Sequence, residues 1–129
     1  MEVTELIGKT LINVENINDE ELVFTVDNGD EYKLYHMQDC CESVTIDDII
    51  GDLQDLVGSK ILKAEERISE ERPNGIELND VYADDSETWT FYHFATMKGR
   101  VDIRWFGTSN GYYSESVDFC KCNVNDYDC

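Results

Sequence analysis

The sequence predicts an α+β domain in which one amphipathic helix packs on a face of an antiparallel β-sheet, in the element order βββ-α-β-βββ. Apolar and polar residues alternate with period two in the first forty residues and again in the C-terminal third, which is typical of strands. A single stretch between them has apolar residues at spacings of three and four, which is typical of a helix. Short turn sequences join the predicted strands and favour antiparallel pairing.

The N-terminal elements form a predicted three-stranded meander. A strand at Thr10–Glu15 is followed by turn residues 16–20. In the next strand Leu22, Phe24 and Val26 share one face and alternate with Val23, Thr25 and Asp27. The dipeptide Asn28-Gly29 predicts a tight hairpin turn, because both residues tolerate the positive φ angles that such turns need. The return strand is expected to run from Tyr32 to His36.

The stretch from Thr45 to Gly58 predicts the helix. Thr45 is the expected N-cap and Gly58 the expected C-terminal glycine. A glycine inside a helix is unfavourable, so Gly51 suggests a close contact there. The opposite face would present an acidic stripe made of Asp48, Asp52 and Asp55. The apolar face consists of Ile46, Ile49, Ile50, Leu53, Leu56 and Val57.

The remaining chain predicts strands and one long surface loop. The loop covers residues 70–86 and holds the only proline. We expect a single domain over residues 1–119 and a flexible, polar, cysteine-containing tail over residues 120–129. The other predicted elements are strands at Ile61–Arg67, Thr88–Met97, Val101–Phe106 and Tyr112–Phe119, a turn at 98–99 and a loop at 107–111.

The net charge of the chain indicates which classes of partner it can bind. The 129 residues include 29 acidic and 10 basic side chains and carry a net charge of -19, yet 41% are hydrophobic, so we expect a core rather than disorder. Such a surface repels nucleic acid and anionic membranes and attracts basic proteins. A competing interpretation is that the acids only keep the protein soluble.

The same composition predicts the compartment. No apolar stretch approaches the ~20 residues of a membrane span, and the first residues lack the features of a signal peptide. Five cysteines are an odd number, which favours a reduced cytoplasmic protein without a disulfide framework.

The densest set of potential metal ligands is His36, Asp39, Cys40, Cys41 and Glu42. Zinc binding would use the histidine, a cysteine and a carboxylate, but no CxxC or HxxxH pair supports it, so we expect no metal and no cofactor. The acidic neighbours disfavour a reactive thiolate, and we expect no catalytic residues. A metal-assisted hydrolase is the enzymatic alternative. In the competing structural interpretation, the two cysteines serve only as small residues at the junction before the helix, and at least one of them is buried.

A second cluster combines an arginine, aromatic rings and a loop rich in Ser, Asn and Gly. Arg104 is suited to holding a phosphate or stacking on a base. In the competing interpretation, Arg104 pairs with acidic neighbours on the sheet surface, such as Asp102 or Glu115, while Trp105 fills the core. The other members are Ser109, Asn110, Tyr112 and Tyr113, and the two tyrosines also suit a protein interface.

These clusters resemble a family of small acidic proteins of unknown function, encoded mainly by tailed bacteriophages. The resemblance covers roughly residues 5–119 and implies a phage accessory protein acting inside an infected bacterium, without implying an activity. The segments that carry it are Tyr35–Val44, Asp47–Leu53, Thr88–Tyr92, Arg104–Gly107 and Ser109–Val117.

Two functions follow as expectations. In the first, a non-enzymatic counter-defence protein inhibits a basic host nuclease or immune effector by nucleic-acid mimicry, with contact residues Asp48, Asp52, Asp55, Glu70, Glu71, Asp84 and Asp85. In the alternative, the protein is a sponge for a nucleotide immune messenger, with a pocket made of His36, Asp39, Cys40, Cys41, Glu42, Arg104, Trp105, Ser109, Asn110, Tyr112 and Tyr113. Neither involves direct binding of nucleic acid or membrane, and open sheet edges are compatible with a small homo-oligomer.

Overall fold

The computed structural model describes residues 1–76 and 86–122, and these residues form two antiparallel four-stranded sheets. The strands are β1 (Leu11–Ile17), β2 (Glu21–Val26), β3 (Glu31–Tyr35), β4 (Ser43–Ile50), β5 (Lys63–Ser69), β6 (Ser86–Thr96), β7 (Gly99–Ser109) and β8 (Asp118–Cys122). The first sheet has the order β1-β2-β3-β8 and the second the order β4-β7-β6-β5. Short 3-10 turns lie at Val3–Leu6 and Leu53–Leu56.

One hydrophobic core holds the two sheets together. Alternate residues of the central strands point inward, because side chains on a strand alternate between its two faces. Phe24 of the first sheet packs on Phe94 of the second, with ring centroids 5.5 Å apart. Trp105 is fully buried, which confirms its predicted place in the core.

The predicted helix and the α+β class are wrong. The stretch predicted as a helix divides into β4 and the 3-10 turn, and no α-helix occurs in the described residues. The chain is therefore an all-β domain in these ranges. Asp52, predicted on the polar face of the helix, caps the 3-10 turn by accepting a hydrogen bond from the backbone N–H of Gln54 at 2.9 Å.

A β-bulge explains why this strand resembles a helix in sequence. Ile46 pairs with Trp105 and Asp48 pairs with Arg104, so that Asp47 is the extra residue on β4. The inward-facing residue consequently shifts by one position after the bulge. Val44, Ile46 and Ile49 then face the core at spacings of two and three. Together with the apolar Leu53 and Leu56 of the following 3-10 turn, these spacings resemble the period of a helix. The expected close contact at Gly51 does exist, because a Cβ there would lie 2.6 Å from the Arg100 carbonyl oxygen.

The predicted hairpin turn at Asn28-Gly29 is confirmed, whereas the bounds predicted between residues 107 and 122 are wrong. The hairpin between β2 and β3 turns at Gly29, whose φ is +94°. The predicted loop at 107–111 starts too early, since β7 continues to Ser109. The predicted strand at Tyr112–Phe119 is mostly irregular, and β8 includes residues 120–122 of the predicted tail. Among the described residues, no helix has the length and apolarity needed to cross a membrane.

Candidate functional site

The loop between β3 and β4, residues 36–42, is organised around a buried carboxylate. Glu42 is 4% exposed. Its Oε1 accepts the backbone N–H of Asp39 at 2.6 Å, and its Oε2 accepts that of Cys40 at 3.1 Å. These backbone hydrogen bonds, aided by one from His36, hold the pKa of Glu42 at about 2 against the opposing effect of burial. The carboxylate is thus ionised and fixes the path of the loop.

His36 connects this loop to the second sequence cluster. Its Nδ1 lies 2.7 Å from the carbonyl oxygen of Ser116, and its Nε2 lies 2.9 Å from Oε1 of Glu42. Both ring nitrogens therefore lie within hydrogen-bond distance of an oxygen, one on each side of the ring. The backbone N–H of Met37 donates to Oδ2 of Asp118 at 3.1 Å. The segments 35–44 and 109–117, which the sequence analysis singled out, therefore meet in space.

The cysteines of this loop differ from the predicted state. Cys40 and Cys41 are bonded to each other as a disulfide, and both are exposed. Cys120 is also disulfide-bonded, whereas Cys122 keeps a free thiol whose pKa is raised by burial. The prediction of a buried cysteine in the pair is therefore wrong, and the bonded pair differs from the reduced cysteines expected from the sequence.

The second cluster contains a buried carboxylate of its own. Glu115 is 8% exposed and accepts hydrogen bonds from three hydroxyl groups. Thr88 Oγ1 donates at 2.9 Å, Ser109 Oγ at 2.5 Å, and Ser86 Oγ completes the set. These bonds hold residues 110–117 as an ordered irregular segment where a strand was predicted, because side chains replace the backbone partners that a strand would need.

Gly107 lies where both clusters touch. It is the register partner of Val44 on β4. A Cβ on Gly107 would lie 2.7 Å from the Glu115 carbonyl oxygen and 3.2 Å from Cγ2 of Val44. Only glycine lets the segment around Glu115 pack this closely on β7.

Arg104 and Trp105 do not join the His36–Glu42 loop. Trp105 points into the core, so Arg104 points to the outer face of the second sheet. The Arg104 guanidinium donates from Nε to Oδ2 of Asp47 at 2.7 Å and lies 5.7 Å from the ring centroid of Trp89. Arg104 thus pairs with an acidic neighbour on the sheet surface, as the competing interpretation expects, but the partner is Asp47 at the bulge and not Asp102 or Glu115.

The remaining predicted pocket residues lie near the second buried carboxylate. Asn110 Oδ1 accepts the backbone N–H of Tyr112 at 3.1 Å, and the Tyr112 side chain is exposed. Tyr113 and Glu115 line a cleft of about 520 Å³ together with Glu70. The residues proposed for one ligand pocket are therefore distributed over three places.

A second cleft opens between the β1–β2 turn and the loop at 36–42. Its volume is about 330 Å³, and it is lined by Glu20, Glu21, Tyr35, His36, Gln38, Glu42, Ser43, Val44 and Thr45. Gln38 and Glu42 belong to one wall and Glu20 and Glu21 to the other. Sequence patterns did not single out Glu20 or Glu21, because they follow a turn and become part of this cleft only through the tertiary fold.

The acidic residues predicted as contacts do not form a stripe. Asp48 is exposed on the outer face of β4, whereas Asp52 and Asp55 lie at the 3-10 turn. Glu70 and Glu71 are exposed after β5. Asp84 and Asp85 lie outside the described residues.

The charge is instead divided unequally between the two sheets. Residues 1–35 and 118–122, which contain the first sheet, hold ten carboxylates and three lysines. Residues 43–76 and 86–109, which contain the second sheet, hold ten carboxylates and seven basic residues. Ion pairs neutralise much of the second sheet: Lys63–Glu65, Arg72–Glu87, Arg100–Asp102 and Arg104–Asp47.

The first sheet has fewer such pairs. Lys33 pairs with Glu21 at 3.2 Å and Lys121 with Asp30 at 3.3 Å. In the described residues, the other carboxylates of this half have no basic side chain within ion-pair distance: Glu2, Glu5, Glu15, Asp19, Glu20, Asp27, Glu31 and Asp118. We call this half of the molecule, residues 1–35 and 118–122, the anionic half. Its surplus charge is not neutralised by neighbouring basic side chains in the described residues.

Comparison with known proteins gives a family and no activity. Residues 4–119 match the family described as Domain of unknown function (DUF7448). No curated protein and no solved structure matches the chain. Across residues 1–76 and 86–122, no group of three or more His, Cys, Asp or Glu side chains is arranged to hold a metal ion.

Proposed function

The chain belongs to the family described as Domain of unknown function (DUF7448), and we propose that it acts as a non-enzymatic phage counter-defence protein. It binds a basic host factor that handles nucleic acid and inhibits it by occupying the groove that normally holds phosphates. The unequal division of charge between the two sheets is the observation that carries this proposal. It favours the anionic half as the contact surface, in place of the acidic helix expected from the sequence.

The physical basis is electrostatic complementarity. Carboxylates without local cations keep their full attraction for a basic groove, whereas those in ion pairs would have to exchange partners. Glu15 and Glu31 flank buried residues on their strands and so face outward from the first sheet, on either side of β2. The folded sheet presents these side chains from a preformed backbone, which lowers the entropy lost on binding.

The sponge alternative receives less support from the geometry. It needs a cation beside the His36–Glu42 loop to hold a phosphate, and Arg104 is occupied by Asp47 on the outer face of the other sheet. The cleft beside that loop is lined by Glu20, Glu21 and Glu42, whose charges repel phosphates. We therefore favour the basic protein partner.

Competition with nucleic acid tests the proposal. The chain is immobilised, bacterial extract is passed over it, and retained proteins are eluted with a salt gradient and identified by mass spectrometry. The purified partner is then titrated with the chain in the presence of duplex DNA or of RNA. We expect a nucleic-acid-handling protein whose binding weakens with salt and is displaced by the nucleic acid. A specific partner that binds equally well with saturating nucleic acid would contradict the proposal.

A further inference from the structure

The bond between Cys40 and Cys41 does not have the features of a stabilising cross-link. The two residues are neighbours in the chain, so their bond joins no distant segments. A disulfide restricts the unfolded chain more strongly when it closes a longer loop, and this one closes the shortest loop available. Both cysteines are exposed and therefore accessible to small thiols. This combination is typical of a disulfide that is made and broken during function.

We propose that Cys40 and Cys41 form a reversible thiol–disulfide site that controls the conformation of the loop at residues 37–42. The disulfide closes a small ring that includes the peptide bond between the two cysteines and so restricts the backbone there. Three groups next to that ring hold the loop: the N–H of Cys40 donates to Oε2 of Glu42 at 3.1 Å, that of Asp39 donates to Oε1 at 2.6 Å, and Nε2 of Gln38 donates to the Cys40 carbonyl oxygen at 3.3 Å. Opening the ring releases the backbone that makes these bonds.

The loop is also one wall of the 330 Å³ cleft, through Gln38 and Glu42. A change in the loop therefore changes the cleft and the position of Glu42, while His36 keeps its bond to Ser116 on the other side. This site is independent of the proposed function, since it concerns the cysteines and the loop whichever partner binds.

The chemistry is thiol–disulfide exchange with a low-molecular-weight thiol as the reductant. A thiolate of the reductant attacks one cysteine sulfur, the bond between Cys40 and Cys41 breaks, and a mixed disulfide forms. A second reductant thiol attacks that mixed disulfide. The products are two protein thiols and one molecule of the oxidised reductant, so two electrons and two protons reach the protein. The reverse reaction consumes a small-molecule disulfide.

Peptide mass spectrometry of the full chain tests the redox state of each cysteine. The protein is alkylated with iodoacetamide before and after treatment with dithiothreitol. We expect Cys40 and Cys41 to be labelled only after reduction, and to become protected again after oxidised dithiothreitol is added. The reduced pair should also bind one phenylarsine oxide, whose arsenic forms two As–S bonds and releases water. Full alkylation of both cysteines in the untreated protein would overturn the proposal.

Hydrogen exchange tests the control of the loop. Reduction should accelerate amide exchange of Asp39 and Cys40 at least severalfold and leave the hairpin turn at 27–30 unchanged. The double variant C40S/C41S should exchange like the reduced protein and should not respond to dithiothreitol, whereas C122S should respond like the wild type. If circular dichroism shows that the double variant does not fold, the comparison of oxidised with reduced wild-type protein still tests the proposal. Equal exchange of this loop in oxidised and reduced wild-type protein would overturn the proposal.

Discussion

Replacing Gly107 with alanine should disrupt the junction between the two clusters. The new Cβ would lie 2.7 Å from the Glu115 carbonyl oxygen and 2.9 Å from the Glu115 Cβ. Backbone at Glu115 has little freedom to retreat, because its side chain is held by hydroxyl groups of Ser86, Thr88 and Ser109. The clash must therefore shift either β7 or this network.

The expected loss of stability is about 3 kcal/mol. Overpacking of a well-packed site contributes roughly 1–3 kcal/mol. Weakening the hydrogen bonds of a buried carboxylate adds about 1–3 kcal/mol. Alanine restricts the unfolded chain more than glycine does, which offsets about 0.5–1 kcal/mol. For a domain of this size, the midpoint of thermal unfolding should fall by roughly 10 °C.

Gly99 provides a matched control on the same strand. A Cβ there would also meet its nearest atom at 2.7 Å, but that atom is Oδ2 of Asp55, at the end of a side chain that can rotate away. Gly99→Ala should therefore change the free energy of unfolding by less than about 1 kcal/mol. Urea unfolding followed by tryptophan fluorescence measures both variants. A Gly107→Ala variant no less stable than Gly99→Ala would refute the packing argument.

Three further changes test the core, the bulge and the buried carboxylate. Phe94→Ala should lower the free energy of unfolding by about 4 kcal/mol, because it removes a fully buried ring that packs against the opposite sheet; a loss below ~1 kcal/mol in urea unfolding would be inconsistent with this core. Arg104→Gln should lower it by only about 1 kcal/mol, because the ion pair with Asp47 is partly exposed, and a double-mutant cycle with Asp47→Asn measures the coupling. The pKa of Glu42 is about 2 in the fold against an ordinary 4.5, so its stabilisation is complete above pH 4.5 and is lost as the pH falls toward 2. Glu42→Gln should flatten the dependence of the urea midpoint on pH in that window, and an unchanged slope would count against the role of this carboxylate.

The strands of the first half were predictable because their signals are local. The buried Leu22, Phe24 and Val26 alternate with half-buried positions, and Asn28-Gly29 has few conformations other than a tight turn. The helix prediction failed for a physical reason. A bulge shifts the inward-facing positions of a strand by one residue. Two short runs of inward-facing residues on either side of a bulge therefore have spacings like those of a helix. The β-branched residues at Val44, Thr45 and Ile46 were the signal in favour of a strand.

The candidate site was only partly predictable. His36, Asp39 and Glu42 were grouped correctly because they are close in sequence and lie in one loop. The position of Arg104 depends on the register of β7 against β4 and on the bulge at Asp47, neither of which a local pattern specifies. Glu115 was considered only as a partner for Arg104, although an acid within a segment rich in Ser was a signal that hydroxyl groups surround it.

The identity of the acidic contact surface can be measured with two sets of four charge reversals. Both sets use exposed carboxylates, so that each changes the net charge by the same amount. One set reverses Glu15, Glu20, Asp27 and Glu31 to lysine in the anionic half, and the other reverses Asp48, Glu65, Glu70 and Glu71 around the second sheet. The affinity of each set for the captured host partner is compared with that of the wild type, after circular dichroism has shown that both variants are folded. We predict that the first set loses binding and inhibition while the second keeps most of both; equal losses, or a loss confined to the second set, would contradict the assignment of the anionic half as the contact surface.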